Sequence, residues 1–394
     1  MSSDPNIPTS LGRLRARIPV MRPRMADASA LLPYLRRIDE ARWYSNFGPL
    51  AREFEARIAA RYGLSEGSAA ALANGTLGLT LALKALEPAP GALCLIPAFT
   101  FTASACAVAA AGLTPYFVDV DPASWALEPA GAEAALAAAP GLVAAVMPVS
   151  VFGRPVEAAA WDAFTARTGI SAVIDGAASF DGAKPARSPT MVSLHGTKIL
   201  GTGEGGLILS SDRELIARVR SLSSFGFRLG ANLAPLERAA ALPGINAKFS
   251  EHAAALGLAA LDLWEDSRGA FATVYAAYRK AFAGLPGIAA QPGGWDGWVA
   301  ATVSFALQRP GASALIEALA SAGVESRSWW GAGCHRDPVF AACPRADLSV
   351  SEELVERVIG LPCHPDLTAA EIAEIATLVA GHLGSGSTTW RAAR

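Results

Sequence analysis

Residues 191–210, MVSLHGTKILGTGEGGLILS, contain the most informative pattern of the chain. An uncharged strand-like run is followed by a turn of small residues, which holds Lys198, and then by a second apolar strand. An ammonium among apolar residues and glycines is poorly solvated, and desolvation lowers its pKa. A lysine that loses its proton near neutral pH can form a Schiff base with an aldehyde cofactor. The alternative is a structural lysine whose ammonium reaches solvent from a strand end.

The composition bounds the class of protein. A chain of 394 residues is long enough for two domains, one large and one small. A net charge of −2 without a basic stripe argues against nucleic acid and membrane surfaces as partners. Alanine-rich stretches are interrupted before they reach membrane-spanning length, and the N-terminus lacks the apolar core of a secretory signal. The five scattered cysteines have no CxxC spacing, so we expect reduced thiols in a cytoplasmic protein.

Alternation of short apolar runs with Ala- and Leu-rich helical stretches predicts an α/β fold. The alternation extends from about residue 69 to 210 and is typical of a mostly parallel sheet covered by helices. A helical segment near 250–284 and a smaller α+β portion follow, with strands predicted near 298–306 and 324–328 and helices near 312–322 and 368–380. The predicted parts are an N-terminal arm over 1–21, a large cofactor-binding domain over 22–250, a linking helix with a small C-terminal domain over 251–384, and a tail over 385–394. Ligands of such sheets bind beyond the carboxyl ends of the strands, so polar residues there are the first candidates for a site.

Asp175 is the first such candidate. It ends the predicted strand SAVID (171–175) and is followed by small residues. A carboxylate in an apolar setting needs a cationic partner, and a protonated pyridine nitrogen is one such partner. Lys198 comes 23 residues later, after one further strand, and this spacing suits the two ends of a cofactor ring. The alternative for Asp175 is the N-cap of a following helix.

A second group of candidates suits a phosphate. Asn74, Gly75 and Thr76 join a predicted strand to a predicted helix. A helix N-terminus offers free N–H groups and a favourable dipole to an anion. The hydroxyl of Ser193, five residues before Lys198, could reach the same phosphate. An ordinary capped helix start is the alternative for these residues.

Phe101, in IPAFTFTASA, follows the next strand and could lie against a flat ring, although a core position is the alternative. The letters GTGEGG at 201–206 match GxGxxG but lie between two strands, which argues against a dinucleotide site. The five histidines lack metal-ligand spacing, so no metal site is predicted.

In order along the chain, several motifs resemble those of one known family. They are NGT (74–76), PAFTFTASACAVAAAGLTPYFVDVD (97–121), PVSVFGRP (148–155), VIDGAAS (173–179), SLHGTKILGTGEGG (193–206), GINAKFSEHAAALGLAALD (244–262) and LPCHPDLT (361–368). The set is similar to the DegT/StrS family of pyridoxal-phosphate-dependent nucleotide-sugar aminotransferases, which have fold type I. The similarity extends from about residue 22 to 382.

This resemblance implies a role for each candidate. Lys198 would form the internal aldimine with pyridoxal phosphate, Asp175 would hold the pyridine nitrogen, and Phe101 would stack on the ring. The phosphate contacts would come from Gly75, Thr76 and Ser193. The resemblance also implies that Asn246 reaches the phosphate of the neighbouring subunit's cofactor, so that a homodimer is the smallest complete unit.

The chain departs from the family at two positions near the cofactor. Ala178 stands where glutamine or histidine is usual beside the ring hydroxyl, and Ser179 could substitute for it. Lys248 stands where an arginine is common after the asparagine.

Four residues are expected to contact substrate: His195, Trp329, Trp330 and His335. The two tryptophans lie in ESRSWWGAGCH (325–335), where relatives contact the sugar and often carry tyrosine or histidine. Successive side chains of an extended strand point to opposite sides, so we expect one tryptophan to line the pocket and the other to pack into the small domain. The alternative is that both are core or interface residues.

The function favoured by these observations is transfer of an amino group, from L-glutamate as donor, to a keto group of a nucleotide-activated sugar. The partners would be these two small molecules and a second copy of the chain. A sugar dehydratase of the same fold is one alternative, but there the resemblance leads us to expect histidine at the position of Lys198. A non-catalytic or regulatory protein that retains the fold is another, and the pair of Asp175 and Lys198 argues against it.

Overall fold

The computed structural model describes residues 17–230, 232–294 and 297–385. The helices are α1 (Ala28–Ala41), α2 (Pro49–Arg61), α3 (Gly75–Ala85), α4 (Thr102–Ala110), α5 (Pro129–Ala137), α6 (Ala158–Thr168), α7 (Arg213–Ser223), α8 (Glu251–Asp262), α9 (Trp264–Ala281), α10 (Ala312–Ser321), α11 (Ser349–Arg357) and α12 (Ala369–Ser385). The strands are β1 (Ala69–Leu72), β2 (Leu93–Pro97), β3 (Thr114–Val118), β4 (Val143–Val146), β5 (Ser171–Ala172), β6 (Ile174–Asp175), β7 (Thr190–Ser193), β8 (Gly206–Leu209), β9 (Phe227–Leu229), β10 (Pro235–Ala240), β11 (Ile288–Ala290), β12 (Val303–Leu307) and β13 (Val358–Leu361). Most of the predicted arm and tail, residues 1–16 and 386–394, lies outside the described residues.

The large sheet is formed by two groups of strands, in the orders β3-β2-β4-β5 and β6-β7-β8-β1. The groups meet in one strand that is interrupted at Val173, because β5 pairs in parallel with β4 and β6 pairs in parallel with β7. Strand β8 runs antiparallel to both of its neighbours, since the turn that holds Lys198 returns the chain from β7 without a crossover helix. The prediction of a mostly parallel sheet is confirmed.

Helices cover this sheet on both faces. Strands β1, β2 and β8 are buried at every position, as is typical of strands that pack against helices on two sides. Helices α3, α4 and α7 contribute to one buried cluster. Helices α5 and α6 pack on the group of strands β3, β2, β4 and β5 in another cluster. The carboxyl ends of β6 and β7 are therefore held on a rigid support.

A smaller antiparallel sheet, in the order β11-β12-β13, forms the C-terminal part. Helix α12 packs against α9 and α10 beside it. The strand predicted near 324–328 is wrong, because this segment makes only single bridges to two different partners. Val324 pairs with Ile18 of the N-terminal segment, and Arg327 pairs with Gly360 of β13.

One hydrophobic cluster continues from the large sheet into the small one. It includes Phe54 of α2 and Leu207 of β8, together with Phe305 and Ile359 of the small sheet. The domain limits predicted from the sequence remain a prediction, since the core itself is continuous between the two parts.

The helical segment predicted near 250–284 consists of two helices that are separated at Leu263. After this break Trp264 is buried and packs edge-on against Phe180, with ring centroids 4.8 Å apart. Within the described ranges, no helix combines the length and the apolar character that a bilayer crossing requires.

We expect Gly257→Ala to lower the free energy of unfolding by about 1–3 kcal/mol, since overpacking a core displaces its side chains. A Cβ atom at this position of α8 would lie 2.7 Å from Phe54 Cε2, where α8 packs against α2. Gly269 of α9 is the matched control, because a Cβ atom there meets nothing within 4 Å. Gly269→Ala should stabilise the protein by about 0.5–1 kcal/mol through helix propensity. Urea denaturation followed by circular dichroism measures both, and destabilisation of equal size in the two variants would contradict this packing.

Candidate active site

Lys198 lies in the tight connection between β7 and β8. The two strands continue beyond their ends through hydrogen bonds from Leu194 N to Gly205 O (2.9 Å) and from Gly196 N to Gly203 O (2.8 Å). The chain crosses itself closely there, because a Cβ atom on Gly201 would lie 2.9 Å from Gly196 Cα. Only small residues fit where the two parts of the turn lie this close together. The turn places Lys198 at the edge of the sheet.

The surroundings of Lys198 favour its neutral form. The residue is half-buried, and desolvation lowers the pKa of its ammonium, an effect that the charge of Asp175 opposes. Within the described part of the chain, Lys198 Nζ forms neither a salt bridge nor a hydrogen bond. The predicted desolvation is thus present, and the Nζ atom is available to a ligand.

Asp175 is a buried carboxylate at the end of β6, with 5% of its surface exposed. Its Oδ2 accepts a hydrogen bond from Ser104 Oγ (2.7 Å), and its Oδ1 accepts one from Ala177 N (3.1 Å). Burial raises the pKa of the carboxyl, and the hydrogen bond from Ser104 is the largest effect that lowers it. No salt bridge to Asp175 exists among the described residues, so its charge is held by two hydrogen bonds and by the more distant Lys198.

The alternative interpretation of Asp175 as a helix cap is wrong. Residues 176–182 form turns, and no helix begins there. Ser104 is a contact that the sequence analysis missed. It lies 71 residues before Asp175, on the first turn of α4, and only its closeness to Phe101 in the sequence could have suggested it.

The predicted phosphate residues lie together. Asn74 is the N-cap of α3, and its Oδ1 accepts a hydrogen bond from Leu77 N (2.9 Å). The preceding N–H groups of Gly75 and Thr76 point out of the helix start and have no carbonyl partner in the helix. A Cβ atom on Gly75 would lie 3.5 Å from Ser193 Cβ, which places the Ser193 side chain beside these amides.

The start of α3 packs closely against Gly206, the first residue of β8. A Cβ atom on Gly206 would lie 2.7 Å from Gly75 N and from the Asn74 carbonyl group. Only a glycine allows the start of α3 to lie this close to the sheet. Gly206 is therefore a second residue that the sequence analysis did not single out for this site.

Phe101 is exposed rather than part of the core. It precedes α4 as the N-cap residue, and 56% of its surface is accessible. Its carbonyl accepts a hydrogen bond from Ser104 N (3.1 Å), so one turn of chain carries both the exposed ring and the hydroxyl that binds Asp175. This placement suits a ring that covers a ligand.

Two further candidates for cofactor contacts, Ala178 and Asn246, differ in exposure. Ala178 is half-buried in the turn after Asp175, and Ser179 is buried with its hydroxyl donating to Gly176 O (2.9 Å). Asn246 is exposed, and its Oδ1 accepts a hydrogen bond from Lys248 Nζ (2.6 Å). The Ser179 hydroxyl is thus used within its own turn, whereas Asn246 faces outward.

Of the substrate candidates, His195 shares the Lys198 turn and is exposed. Its Nδ1 lies 2.8 Å from Thr197 Oγ1, and its Nε2 lies 3.6 Å from Glu204 Oε1. His335 differs, because its side chain is 1% exposed and packs edge-on against Phe117. The expectation that His335 contacts substrate finds no support in this conformation, since burial removes its ring from any ligand.

Trp329 and Trp330 lie in a turn, not on the extended strand that was expected. The Trp330 ring stacks on Phe152 with centroids 4.3 Å apart and meets Phe99 edge-on at 4.7 Å. Trp329 packs directly on the backbone of Gly360, and its buried indole N–H has no partner in the described residues. Both side chains therefore pack against one cluster, because a turn does not alternate its side chains as a strand does.

Comparison with known proteins identifies the fold and its chemistry. The model of the DegT/DnrJ/EryC1/StrS aminotransferase family matches residues 26–380. The chain belongs to this family. It is an aminotransferase of fold type I, and pyridoxal phosphate is its cofactor.

Three similar proteins illustrate the match. Protein MT3510 of Mycobacterium tuberculosis (strain CDC 1551 / Oshkosh) is 29% identical over 385 residues, which cover 92% of this chain and 89% of the relative. UDP-N-acetyl-3-dehydro-alpha-D-glucosamine 3-aminotransferase of Acidithiobacillus ferrooxidans is 31% identical over 343 residues, which cover 84% and 88%. The crystal structure of DesI in the presence of its TDP-sugar product is 30% identical with a TM-score of 0.82, and the match covers 94% of this chain and 93% of that one.

The residues present fit pyridoxal phosphate. Asp175 is a buried carboxylate without a salt-bridge partner among the described residues, and a protonated ring nitrogen would supply the missing cation. The amides at the start of α3 and the Ser193 hydroxyl form a cradle that suits a phosphate dianion. Lys198 offers an amine with a lowered pKa near this carboxylate.

We expect Asp175→Asn to lower the pKa of Lys198 further. The aspartate charge stabilises the ammonium, so its removal leaves desolvation unopposed. The pH dependence of Lys198 acylation in the cofactor-free protein, followed by mass spectrometry, should shift to lower pH. Ser179→Ala is the control, because this hydroxyl donates to Gly176 O and not to Asp175. An unchanged midpoint in Asp175→Asn would show that the two charges do not interact.

Proposed function

We propose that this aminotransferase moves an amino group from L-glutamate to a keto group of a nucleotide-activated sugar. The observation that carries the proposal is the desolvated Lys198, which has no side-chain partner among the described residues and interacts by charge with the buried Asp175, in a chain of this family. Two relatives support the class of acceptor, since one is named for a UDP-linked dehydro sugar and the other was crystallised with its TDP-sugar product. The cytoplasmic location expected from the sequence remains part of the proposal.

Lys198 would hold the cofactor covalently through Nζ. When this amine is free and neutral, Nζ would take a proton from the substrate carbon that carries the amino group and return it to the cofactor side. The lowered pKa of Lys198 favours this work near neutral pH, because an ammonium cannot accept a proton. In the second half of the reaction, Nζ would move a proton from the cofactor side to the acceptor carbon that receives the amino group.

Asp175 would keep the ring nitrogen protonated. The hydrogen bonds from Ser104 Oγ and Ala177 N favour the ionised carboxylate against the cost of its burial. When bound, pyridoxal phosphate supplies an electron-withdrawing ring that accepts charge from the substrate carbon. The carboxylate would stabilise that ring in its charged form, so that proton removal by Lys198 becomes easier.

The other cofactor candidates would hold and orient the group. The Gly75 and Thr76 amides and the Ser193 hydroxyl would bind the phosphate, and the exposed Phe101 ring would cover one face of the pyridine. Ala178 would lie beside the ring without donating a hydrogen bond. Asn246, which is exposed on this chain, would reach the cofactor of a second copy.

The acceptor would lie on the open side of Lys198. His195 is exposed on the same turn and would contact the sugar, and the turn that holds Trp329 and Trp330 would form a wall. A sugar dehydratase is less consistent with Lys198, since the family resemblance leads us to expect histidine there in that branch. A purely regulatory role would leave Asp175 and Lys198 without use.

The cofactor link is tested by labelling. Borohydride reduction of the holoenzyme, followed by proteolysis and mass spectrometry, should leave the mass of the cofactor on the peptide with Lys198. Lys198→Ala should abolish this label and turnover, because no other amine would hold the cofactor or move the proton. Lys248→Ala is the matched control and should keep the label. Label on Lys184 or Lys248 in the wild-type protein would overturn the assignment.

The substrate class is tested with L-glutamate and a panel of keto-sugar nucleotides. Product analysis by mass spectrometry should find an amino sugar from at least one acceptor that carries its nucleotide. Free keto sugars should react poorly, since binding energy from the nucleotide is expected to position the reacting carbon. Amination of free sugars at the same rate would contradict an activated acceptor.

Assembly is tested by mixing inactive variants. If Asn246 acts in the partner's site, Lys198→Ala and Asn246→Ala subunits together should recover activity, because each heterodimer contains one site with both residues intact. The expected yield is about one quarter of wild-type activity after random exchange, since half of the dimers are mixed and each has one good site. Absence of recovery, with subunit exchange shown by native mass spectrometry, would place Asn246 outside the partner's site.

A further inference from the structure

The connection from β11 to β12 donates two side-chain hydrogen bonds to the turn that follows β4. Gln291 comes directly after β11, and its Nε2 donates to the carbonyl of Val151 (3.1 Å). Thr302 comes directly before β12, and its Oγ1 donates to the carbonyl of Phe152 (3.1 Å). Two successive carbonyls of one turn are thus bound by side chains that lie 140 and 150 positions away along the chain.

The turn over residues 151–153 has a conformation that its sequence does not favour. Phe152 has a φ of 49° and a ψ of 30°, in the left-handed region that is costly for a residue with a Cβ atom. Gly153 lies between the two parts of the chain, since a Cβ atom there would lie 2.5 Å from Ala300 Cβ and 2.9 Å from the carbonyl oxygen of Ala178. A strained turn persists only where its surroundings hold it, and the two donated hydrogen bonds contribute to holding this one.

The ring of Phe152 supports Trp330. The two rings stack with centroids 4.3 Å apart, and Phe99 meets Trp330 edge-on at 4.7 Å. Phe152 and Phe99 are buried, whereas Trp330 is half-buried, so the accessible surface of these three rings belongs mainly to the tryptophan. The backbone of the 151–153 turn therefore sets the position of an accessible indole ring.

Both phenylalanines that support the tryptophan are close along the chain to contacts of the candidate site. Phe99 comes two residues before Phe101, so their Cα atoms are at most about 7 Å apart. Phe152 comes two residues after Ser150, whose N–H donates to the backbone carbonyl of Asp175 (2.8 Å). The stacked rings therefore lie at the border of the cofactor site.

We propose that Gln291 and Thr302 are positioning residues for the acceptor, an inference that rests on the proposed function. By binding two carbonyls of the 151–153 turn, they fix the ring of Phe152 and with it the accessible surface of Trp330. A flat indole surface suits the apolar C–H face of a sugar ring, whereas L-glutamate is acyclic and offers no such face. The two donors act through the aromatic rings and not by contact with the acceptor.

Removal of each donor group in the holoenzyme, at nearly constant side-chain size, tests the proposal. Gln291→Met and Thr302→Val should each raise the KM for the keto-sugar nucleotide about threefold to tenfold, the fold-change that corresponds to one neutral hydrogen bond. The half-reaction with L-glutamate, followed by the absorbance of the cofactor, should keep its rate. Thr302→Ser retains the hydroxyl and should restore the wild-type KM. An unchanged acceptor KM in both donor-free variants would overturn the proposal.

A double-mutant cycle tests whether the donors act through Trp330. Trp330→Leu alone should raise the KM for the acceptor. Thr302→Val should add little in that background, because no indole remains to be positioned and the effects of coupled residues are not additive. Effects of Thr302→Val that are equal in the two backgrounds would show that Thr302 does not act through the tryptophan.

Thr168 offers a matched control for the loss of one donated hydrogen bond. Its side chain is half-buried like that of Thr302, and its Oγ1 donates to the carbonyl of Phe164 (2.9 Å) within α6. Thr168→Val should leave the KM for the acceptor unchanged. An equal rise in Thr168→Val and Thr302→Val would indicate a general loss of stability and would overturn the assignment.

Hydrogen exchange of the resting holoenzyme gives a second measurement that does not depend on turnover. Arg154 N donates to the carbonyl of Val151 (2.9 Å) and closes the turn. Peptides that contain residues 150–154 should therefore exchange faster in Gln291→Met and Thr302→Val than in the wild-type protein or Thr302→Ser. Unchanged exchange there would show that the donors do not hold the turn. Failure to aminate any keto-sugar nucleotide would refute the proposed function, while the exchange result would still decide whether Gln291 and Thr302 hold this turn.

Discussion

The burial of the Asp175 carboxylate is the constraint on which the rest of the site depends. It lies at the point where the two groups of strands in the large sheet meet, and Ser150 N donates to its backbone carbonyl (2.8 Å). A carboxylate removed from water must be compensated by hydrogen bonds or by a cation. Ser104 and Ala177 provide the hydrogen bonds, and the cation is left to a ligand. The core of the protein thus holds the Asp175 carboxylate in a fixed position, where a cationic ligand can pair with it.

The same constraint couples the small sheet to the cofactor region. After β4 the chain passes through Phe152 with a φ of 49°, a left-handed conformation that is costly for a non-glycine residue. The carbonyl of Val151 accepts a hydrogen bond from Gln291 Nε2 (3.1 Å), and that of Phe152 accepts one from Thr302 Oγ1 (3.1 Å). Side chains at the two ends of the connection from β11 to β12 therefore hold a strained loop close to Asp175.

Lys198 has two distinct neighbourhoods. On one side lie the sheet and Asp175, which set the protonation of its amine. On the other lies the N-terminal segment, anchored by backbone hydrogen bonds of Ile18 and Val20 to Gly323 and Cys363 of the C-terminal part.

Local pattern in the sequence determined the parallel sheet, the turn that holds Lys198, the strand end at Asp175 and the helix start at Asn74. These features follow from residue type and spacing within short stretches, because strand periodicity and helix capping are local effects. Only the tertiary structure decided that Ser104 donates to Asp175, that His335 is buried, and that Trp329 and Trp330 share one cluster. It also decided that Gln291 and Thr302 donate to the turn that follows β4. These are contacts between residues far apart along the chain, and they depend on how whole elements pack, which no short stretch of sequence specifies.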